Sequence, residues 1–276
     1  MPTILFPSQP FERVVDPDFA SEMEDARAQG FSVGLVDHTR VTRGDMEGVF
    51  RIPDTEDRRV LYRGWMLTPD QYRSMCDALV GWEVLTSPEA YKHCHYLPNS
   101  YRIIEGRTPY SLWFPKPVAN PFDLGALFNQ ISAVLGDRPI VLKDYVKSES
   151  AYWKEACFIP SATDWASFEA VVSRFLAMRD EYLNEGLVFR EYVDLTGVEV
   201  RTFWAKGQLI FASGDAPVAD FQDLASKVQS PFFSMDLGLL KSGDWTIVEL
   251  GDGQVSSFKA EGVGPSFYAR LKEVLK

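Results

Sequence analysis

The chain has 276 residues, 46% of them apolar and 24% charged, with 17 Pro and 19 Gly dispersed along it; that composition excludes disordered and collagen-like polymers and predicts one large or two modest globular domains. A formal charge of −11 has the wrong sign for a surface that grips nucleic acid or an anionic membrane as a whole, so any polyanion site must be local. Cys76, Cys94 and Cys157 are odd in number and far apart; with neither a basic, apolar leader nor an uncharged apolar run of ~18 residues, the expectation is a cytoplasmic protein with reduced thiols.

The first residues predict a small α/β unit: a strand over Thr3–Phe6, an amphipathic helix from Asp16 to Gly30 and a strand over Phe31–Val36. Asp16 or Asp18 is placed to cap that helix and Gly30 to end it. A strand from Arg59 to Trp65 leads to Thr68 as N-cap and Pro69 at the first helical position. From Ser87 to Pro121 the richness in Pro, Tyr and Asn predicts irregular chain, with the domain connection near residues 105 to 120. The expected domains are therefore 1–115 and 116–276. In the second come a helix from Asp123 to Leu135, a strand over Pro139–Tyr145 and a long helix from Asp164 to Glu185 closed by Gly186. Strands over Leu187–Val193 and Val198–Trp204 follow, the latter returning as Gln208–Phe211 through the turn Ala205-Lys206-Gly207. A helix over Ala219–Val228, a hairpin of Phe232–Leu240 with Trp245–Leu250, and a helix over Ser266–Leu275 complete the chain.

A half-buried strand alternates apolar and polar side chains, so charges recurring in several unlinked strands are candidates for one cleft. Lys143 ends the run Ile140-Val141-Leu142; Arg190 and Glu191 end Leu187-Val188-Phe189; Glu199 and Arg201 share one strand face; Asp236 follows Phe232–Met235; and Glu249 follows Trp245–Val248. Each alone is equally an outward position on a one-sided sheet. Together they say more, because Asp236 and Glu249 lie on the two arms of one hairpin, and converging carboxylates repel unless a cation lies between them. Oxygen ligands with room for phosphate suit Mg²⁺, and Lys and Arg in the same cleft would neutralise the phosphates. The implied ligand is a nucleotide triphosphate with magnesium. No G-x-x-x-x-G-K-[ST], strand-linked G-x-G-x-x-G or H-R-D occurs, which excludes P-loop, Rossmann and protein-kinase phosphate sites.

Four segments in order, Pro139–Ser148 (PIVLKDYVKS), Gly186–Val193 (GLVFREYV), Gly197–Trp204 (GVEVRTFW) and Ile247–Gln254 (IVELGDGQ), resemble the ATP-grasp superfamily, and within it the clade named for one arginine and two lysines. Tyr62–Leu67 and Pro88–Tyr91 resemble that clade's N-terminal region. The resemblance implies an α+β (α/β) protein, an N-terminal α/β pre-ATP-grasp domain followed by a two-lobed ATP-grasp fold with nucleotide and Mg²⁺ between the lobes. It implies that Lys143 contacts nucleotide phosphates and that Lys147 is the second lysine. Glu191, Tyr192 and Val193 would form the strand end that bonds and sandwiches adenine, Glu199 and Arg201 would lie beside ribose and phosphates, and Asp236 and Glu249 would hold magnesium. Many members carry Asn two residues after the final Glu; here that position is Gly251, and Asp252 is expected to supply the missing oxygen.

The implied activity is that of an ATP- and Mg²⁺-dependent carboxylate–amine ligase working through an acyl phosphate on small-molecule or peptide substrates, with Arg201, Lys147 and Arg190 as catalytic cations. Alternatives are an ATP-binding assembly factor, as in the cell-division-cycle branch of the superfamily, and a phosphotransferase or RNA-end ligase. Arg63, ending an N-terminal strand, is expected either to touch substrate or phosphate or to form an interdomain ion pair. His93-Cys94-His95, on a strand or loop, offers only two same-face ligands and is read as structural or surface. Cys157 and Trp153 are read as packing residues.

Overall fold

A computed structural model of the chain describes residues 1–10, 12–118 and 121–276. Its strands are β1 (Thr3–Pro7), β2 (Ser32–Val36), β3 (Phe50–Arg51), β4 (Arg59–Tyr62), β5 (Glu83–Val84), β6 (Ser111–Pro115), β7 (Ile140–Asp144), β8 (Phe158–Ile159), β9 (Gly186–Glu191), β10 (Leu195–Ala205), β11 (Gln208–Ala212), β12 (Phe232–Leu240) and β13 (Trp245–Asp252). The α-helices are α1 (Ala20–Ala28), α2 (His38–Thr42), α3 (Pro69–Asp77), α4 (Pro88–His95), α5 (Leu97–Ile104), α6 (Leu124–Leu135), α7 (Trp165–Arg179), α8 (Gln222–Ala225) and α9 (Gly264–Leu275). They build the mixed α+β architecture that the sequence predicts. Among the described residues no helix is long and apolar enough to cross a membrane.

The chain forms two discontinuous compact units: Met1–His95 with Glu199–Leu237 and Glu249–Lys276, and Tyr96–Val198 with Gly238–Val248. In the first, β1 is the centre of a sheet ordered β3-β2-β1-β4-β5, parallel except where β3 runs against β2. All five residues of β1 are buried, as expected for a parallel strand covered on both faces. Ile4 and Phe6 share a core with Met23 and Ala26 of α1, Phe203, Phe232, and Phe267 and Leu271 of α9, whereas Leu5 joins Val60, Tyr72, Met75 and Tyr91 on the opposite side. In the second unit the sheet β6-β9-β7-β8 is antiparallel. Ile140, Leu142, Leu187 and Phe189 pack against Leu127 and Ile131 of α6 and Phe168 and Phe175 of α7. A third sheet has the order β11-β10-β12-β13.

Several expected elements change. The stretch after Ser87 is not irregular but carries α4, α5 and β6: two of its prolines stand at helix starts, Pro88 opening α4 and Pro98 lying in the first turn of α5, where a missing N–H costs nothing. His93, Cys94 and His95 are therefore on a helix, and all three are buried. α7 ends at Arg179 because Asp180 adopts a positive φ of 38°, and Gly186 opens β9 instead of closing the helix. The helix expected over Ala219–Val228 is reduced to a 3-10 turn, Val218–Phe221, and the short α8. Ala119 and Asn120, at the end of the expected connection, lie outside the described residues.

Candidate functional site

In the first unit, neighbouring strands gather the charges that the sequence singles out. Glu199 and Arg201 come from β10, Asp236 from β12 and Glu249 from β13, in a sheet where β12 lies between the other two. Arg201 grips Asp236 with both prongs, Nε to Oδ1 at 2.7 Å and Nη2 to Oδ2 at 2.6 Å. Its Nη1 donates to the Ser257 carbonyl at 3.1 Å. Lys259 Nζ adds a bond to Asp236 Oδ2 at 3.1 Å and pairs with Glu199. Burial pushes the Asp236 carboxyl up, but the Arg201 hydrogen bonds and the Arg201 and Lys259 charges outweigh it and hold the group below its ordinary value. Burial likewise works against the Arg201 cation, and Asp236, followed by the charges of Glu249 and Glu199, raises it.

Glu249 stands on the same side. A side chain at Gly251 would meet Ser234 Oγ at 2.8 Å, so these positions face one another across the β12–β13 hairpin; two residues away along the strands, towards the hairpin turn, come Asp236 and Glu249. The two acids thus share one face of the hairpin.

Asp252 does not join them. Three positions past Glu249, it points to the opposite face and is wholly buried. Its Oδ1 accepts from Gln254 N at 2.9 Å and Nε2 at 3.1 Å, while Oδ2 has no hydrogen-bond partner among the described residues. Burial raises this carboxyl to about 7. Arg63 is also apart: 2% exposed, it donates to both oxygens of Glu22 at 2.6 and 3.0 Å and to the carbonyls of Gly253 and Ser256 at 2.7 and 2.8 Å. It ties together α1 and the loop after β13 within one unit, and has no exposed face for a substrate.

In the second unit Lys143 lies opposite Val188 and Arg190 opposite Val141, on the sheet face turned away from α6 and α7; both are 8% exposed. Arg190 donates to the Val248 carbonyl and to Thr108 Oγ1, each at 2.7 Å, and Thr108 in turn donates to the Ile247 carbonyl at 2.8 Å. Lys147 is exposed, in a turn organised by Asp144. The Asp144 Oδ1 accepts from Val146 N at 2.6 Å and Lys147 N at 2.5 Å, and Oδ2 from Arg179 Nη2 at 2.6 Å and Asn184 Nδ2 at 3.1 Å. Glu191 ends β9 and pairs with Arg138 at 3.4 Å. Tyr192 donates its N–H to the Pro139 carbonyl at 2.9 Å, and its ring lies 5.2 Å from that of Phe158, on which Trp153 stacks at 5.4 Å. Half-buried Val193 follows, so an aromatic surface flanks the strand end. Burial raises the Cys157 thiol to about 11, keeping it protonated and in a packing role.

Sequence reasoning passes over Asp144, Lys259, Ser234 and Ser256. Asp144 has a readable signal: an Asp closing a strand just before a turn often accepts from the N–H two residues on. The others owe their place to pairings that no spacing reveals. As a donor set, Asp236 and Glu249 offer two carboxylates, and among the described residues no group of three His, Cys, Asp or Glu could hold a metal. Two carboxylate donors suit a cation that completes its shell with phosphate oxygens and water, the habit of Mg²⁺.

The sequence profile of the ATP-grasp domain, family 3 of the clade named for one arginine and two lysines, matches residues 134–273, just over half of the chain. No curated protein matches the chain in sequence. Among solved structures, D-cycloserine synthetase DcsG aligns over 99% of both chains with a TM-score of 0.65 at 14% identity. The D-alanine-D-alanine ligase from Coxiella burnetii aligns over 99% of this chain and 95% of its own, TM-score 0.60 at 10% identity. ATP-grasp ligase PsnB, solved with a phosphomimetic variant of its minimal precursor, Mg and ADP, aligns over 99% of both chains, TM-score 0.57 at 16% identity. At these identities the likeness is one of fold.

Proposed function

The chain belongs to the third ATP-grasp family of the one-arginine, two-lysine clade, and from that premise we propose that it is an ATP- and Mg²⁺-dependent ligase that joins a carboxylate to an amine through an acyl phosphate. The observation that carries this reading is the buried Arg201–Asp236 pair with Glu249 alongside. Asp236 and Glu249 would hold Mg²⁺, which when bound draws charge from phosphate oxygens. Arg201, fixed by Asp236 and the Ser257 carbonyl, is a cation already oriented before reaction; such preorganised charge lowers the barrier where negative charge builds on the transferring phosphoryl group and the tetrahedral oxyanion. Lys143 and Lys147 supply further positive charge for phosphates, and the Glu191–Val193 strand end with its aromatic flank suits an adenine ring. Arg190 spends two of its donors on Thr108 and Val248, which suits it to positioning rather than to oxyanion contact. The fold neighbours support an amino-acid or peptide substrate: one is a D-alanine-D-alanine ligase and another was solved with a minimal precursor.

The test is an ADP-release screen over pairs of carboxylates and amines, with mass spectrometry of each positive. ADP should appear only when both are present, and the product mass should equal their sum less one water. Calorimetry showing no Mg-ATP binding overturns the reading; binding with no ADP release against any pair would match an assembly factor instead.

A further inference from the structure

Gly251 leaves a gap beside the carboxylates that two hydroxyl groups fill. It lies two residues past Glu249 and so on the same strand face. A Cβ there would stand 2.8 Å from Ser234 Oγ and 3.2 Å from Ser256 Oγ. Ser234, on β12, precedes Asp236 by two residues and shares its face; it is 2% exposed. The two hydroxyl oxygens are 2.7 Å apart, and Ser256 Oγ is 2.9 Å from the Asp252 carbonyl oxygen.

Counting protons gives these bonds a direction. A carbonyl only accepts, so Ser256 gives its one proton to the Asp252 carbonyl, and the bond between the hydroxyls must then be donated by Ser234. Both lone pairs of Ser234 Oγ are left as acceptors, in line with Asp236 along β12 and across from Gly251. Hard divalent cations take oxygen ligands, and a hydroxyl adds one without a third negative charge that would repel the two already there.

We propose that Ser234 Oγ, oriented by Ser256, supplies the third protein oxygen to the divalent cation held by Asp236 and Glu249, in the space that a side chain at position 251 would otherwise occupy. This rests on the reading of Asp236 and Glu249 as the metal carboxylates, and the experiment separates the two claims. Mn²⁺ is titrated into the full chain with ADP present and followed by electron paramagnetic resonance, and ADP binding without metal is measured beside it. Ser234→Ala should weaken Mn²⁺ binding by about tenfold, the size of a lost supporting contact at a metal site, with metal-free ADP affinity unchanged. Ser234→Cys, nearly the same size and so the safer variant for folding, should shift preference from Mn²⁺ towards Cd²⁺, because sulfur is a soft ligand. Glu249→Gln should lose Mn²⁺. Native Mn²⁺ affinity and no Cd²⁺ preference in the Ser234 variants, with loss in Glu249→Gln, overturns the serine assignment and leaves the carboxylates; native Mn²⁺ affinity in Glu249→Gln overturns the carboxylate reading itself.

Discussion

Burial raises the Asp252 carboxyl to about 7, although two hydrogen bonds from Gln254 and the charge of Arg63 pull the other way. Its oxygens face the side chains of Gln254, Tyr72 and Cys94 in a wholly buried setting, so the proton is retained where an exposed aspartate has lost it. The sign of the linkage follows: between the ordinary value of 3.8 and about 7 the folded state holds more protons than the unfolded one, so unfolding free energy falls as pH rises through that interval and beyond it, levelling only once the folded carboxyl has ionised. Half-buried His38 and buried His93 have lowered values and act in the opposite direction below their ordinary 6.5. The contribution of Asp252 is therefore read as a difference between chains. Asp252→Asn keeps the Oδ1 acceptor and cannot ionise; urea midpoints at pH 5 and pH 8 should show the native chain losing stability relative to the variant on the order of a few kcal/mol. Equal changes in both chains would mean that the buried carboxyl is not protonated. Asp252 also shows where reading by sequence stops. Its nearness to Glu249 along the chain makes it an expected partner of that carboxylate, but strand alternation over three positions turns it to the opposite face, whereas the shared face of Asp236 and Glu249 is legible because one hairpin fixes both.

At the level of elements, legibility follows the chemistry of the ends. Thr68 with Gln71 forms the reciprocal cap that opens α3, Asp123 and Asp164 cap α6 and α7, and Lys206 and Gly207, at positive φ of 47° and 72°, make the tight turn between β10 and β11; each signal is local and readable. Helices α4 and α5 escape sequence reading because proline marks both the break and the beginning of a helix, and only packing decides which. For the residue that ties the second unit's strands to α7, only the local turn is readable, not its long-range partners. Asp144 is wholly buried and joins the end of β7 to Arg179 at the end of α7 and to Asn184 before β9, while shaping the turn that carries Lys147. Replacing it with Ala removes the carboxylate from the Arg179 guanidinium and the acceptor from the N–H groups of Val146, Lys147 and Asn184, and loss of one partner of a buried pair costs about 3–5 kcal/mol. Asp144→Ala should accordingly lower the urea midpoint strongly, with Lys147 reporting the lost turn as faster amide exchange. A variant of native stability would show that the Arg179 pair contributes nothing to the unit.

The chain as a whole departs from its linear reading in one further respect. Composition shifts place a boundary near residue 115, yet the core under β1 is completed from far downstream: Ile4, Phe6, Ala26, Phe31 and Leu61 lie in one cluster with Phe203, Ala205, Phe232, Phe267, Tyr268 and Leu271. Periodicity marks each of these residues as buried without saying what it is buried against, because apolar faces carry no address. The polar ties repeat the pattern, since Arg63 is bonded to Gly253 and Ser256 and Glu22 to Tyr268. A chain cut after residue 115 would therefore expose the part of the parallel sheet's face and of α1 that Phe203, Phe232 and α9 cover, and leave the buried Arg63–Glu22 pair without its carbonyl and phenol partners. Each large apolar side chain returned to water costs about 1.5–3 kcal/mol, and several together exceed the roughly 5–15 kcal/mol by which a domain is stable. Residues 1–115 expressed alone should give collapsed amide dispersion in a proton–nitrogen spectrum and no cooperative thermal transition, whereas the full chain should give a dispersed spectrum and a cooperative transition. A well-dispersed spectrum from that fragment would mean that β1 to β5 with their helices hold together without Phe203, Phe232 and α9, and that the downstream half of this core is a later addition to a unit already stable.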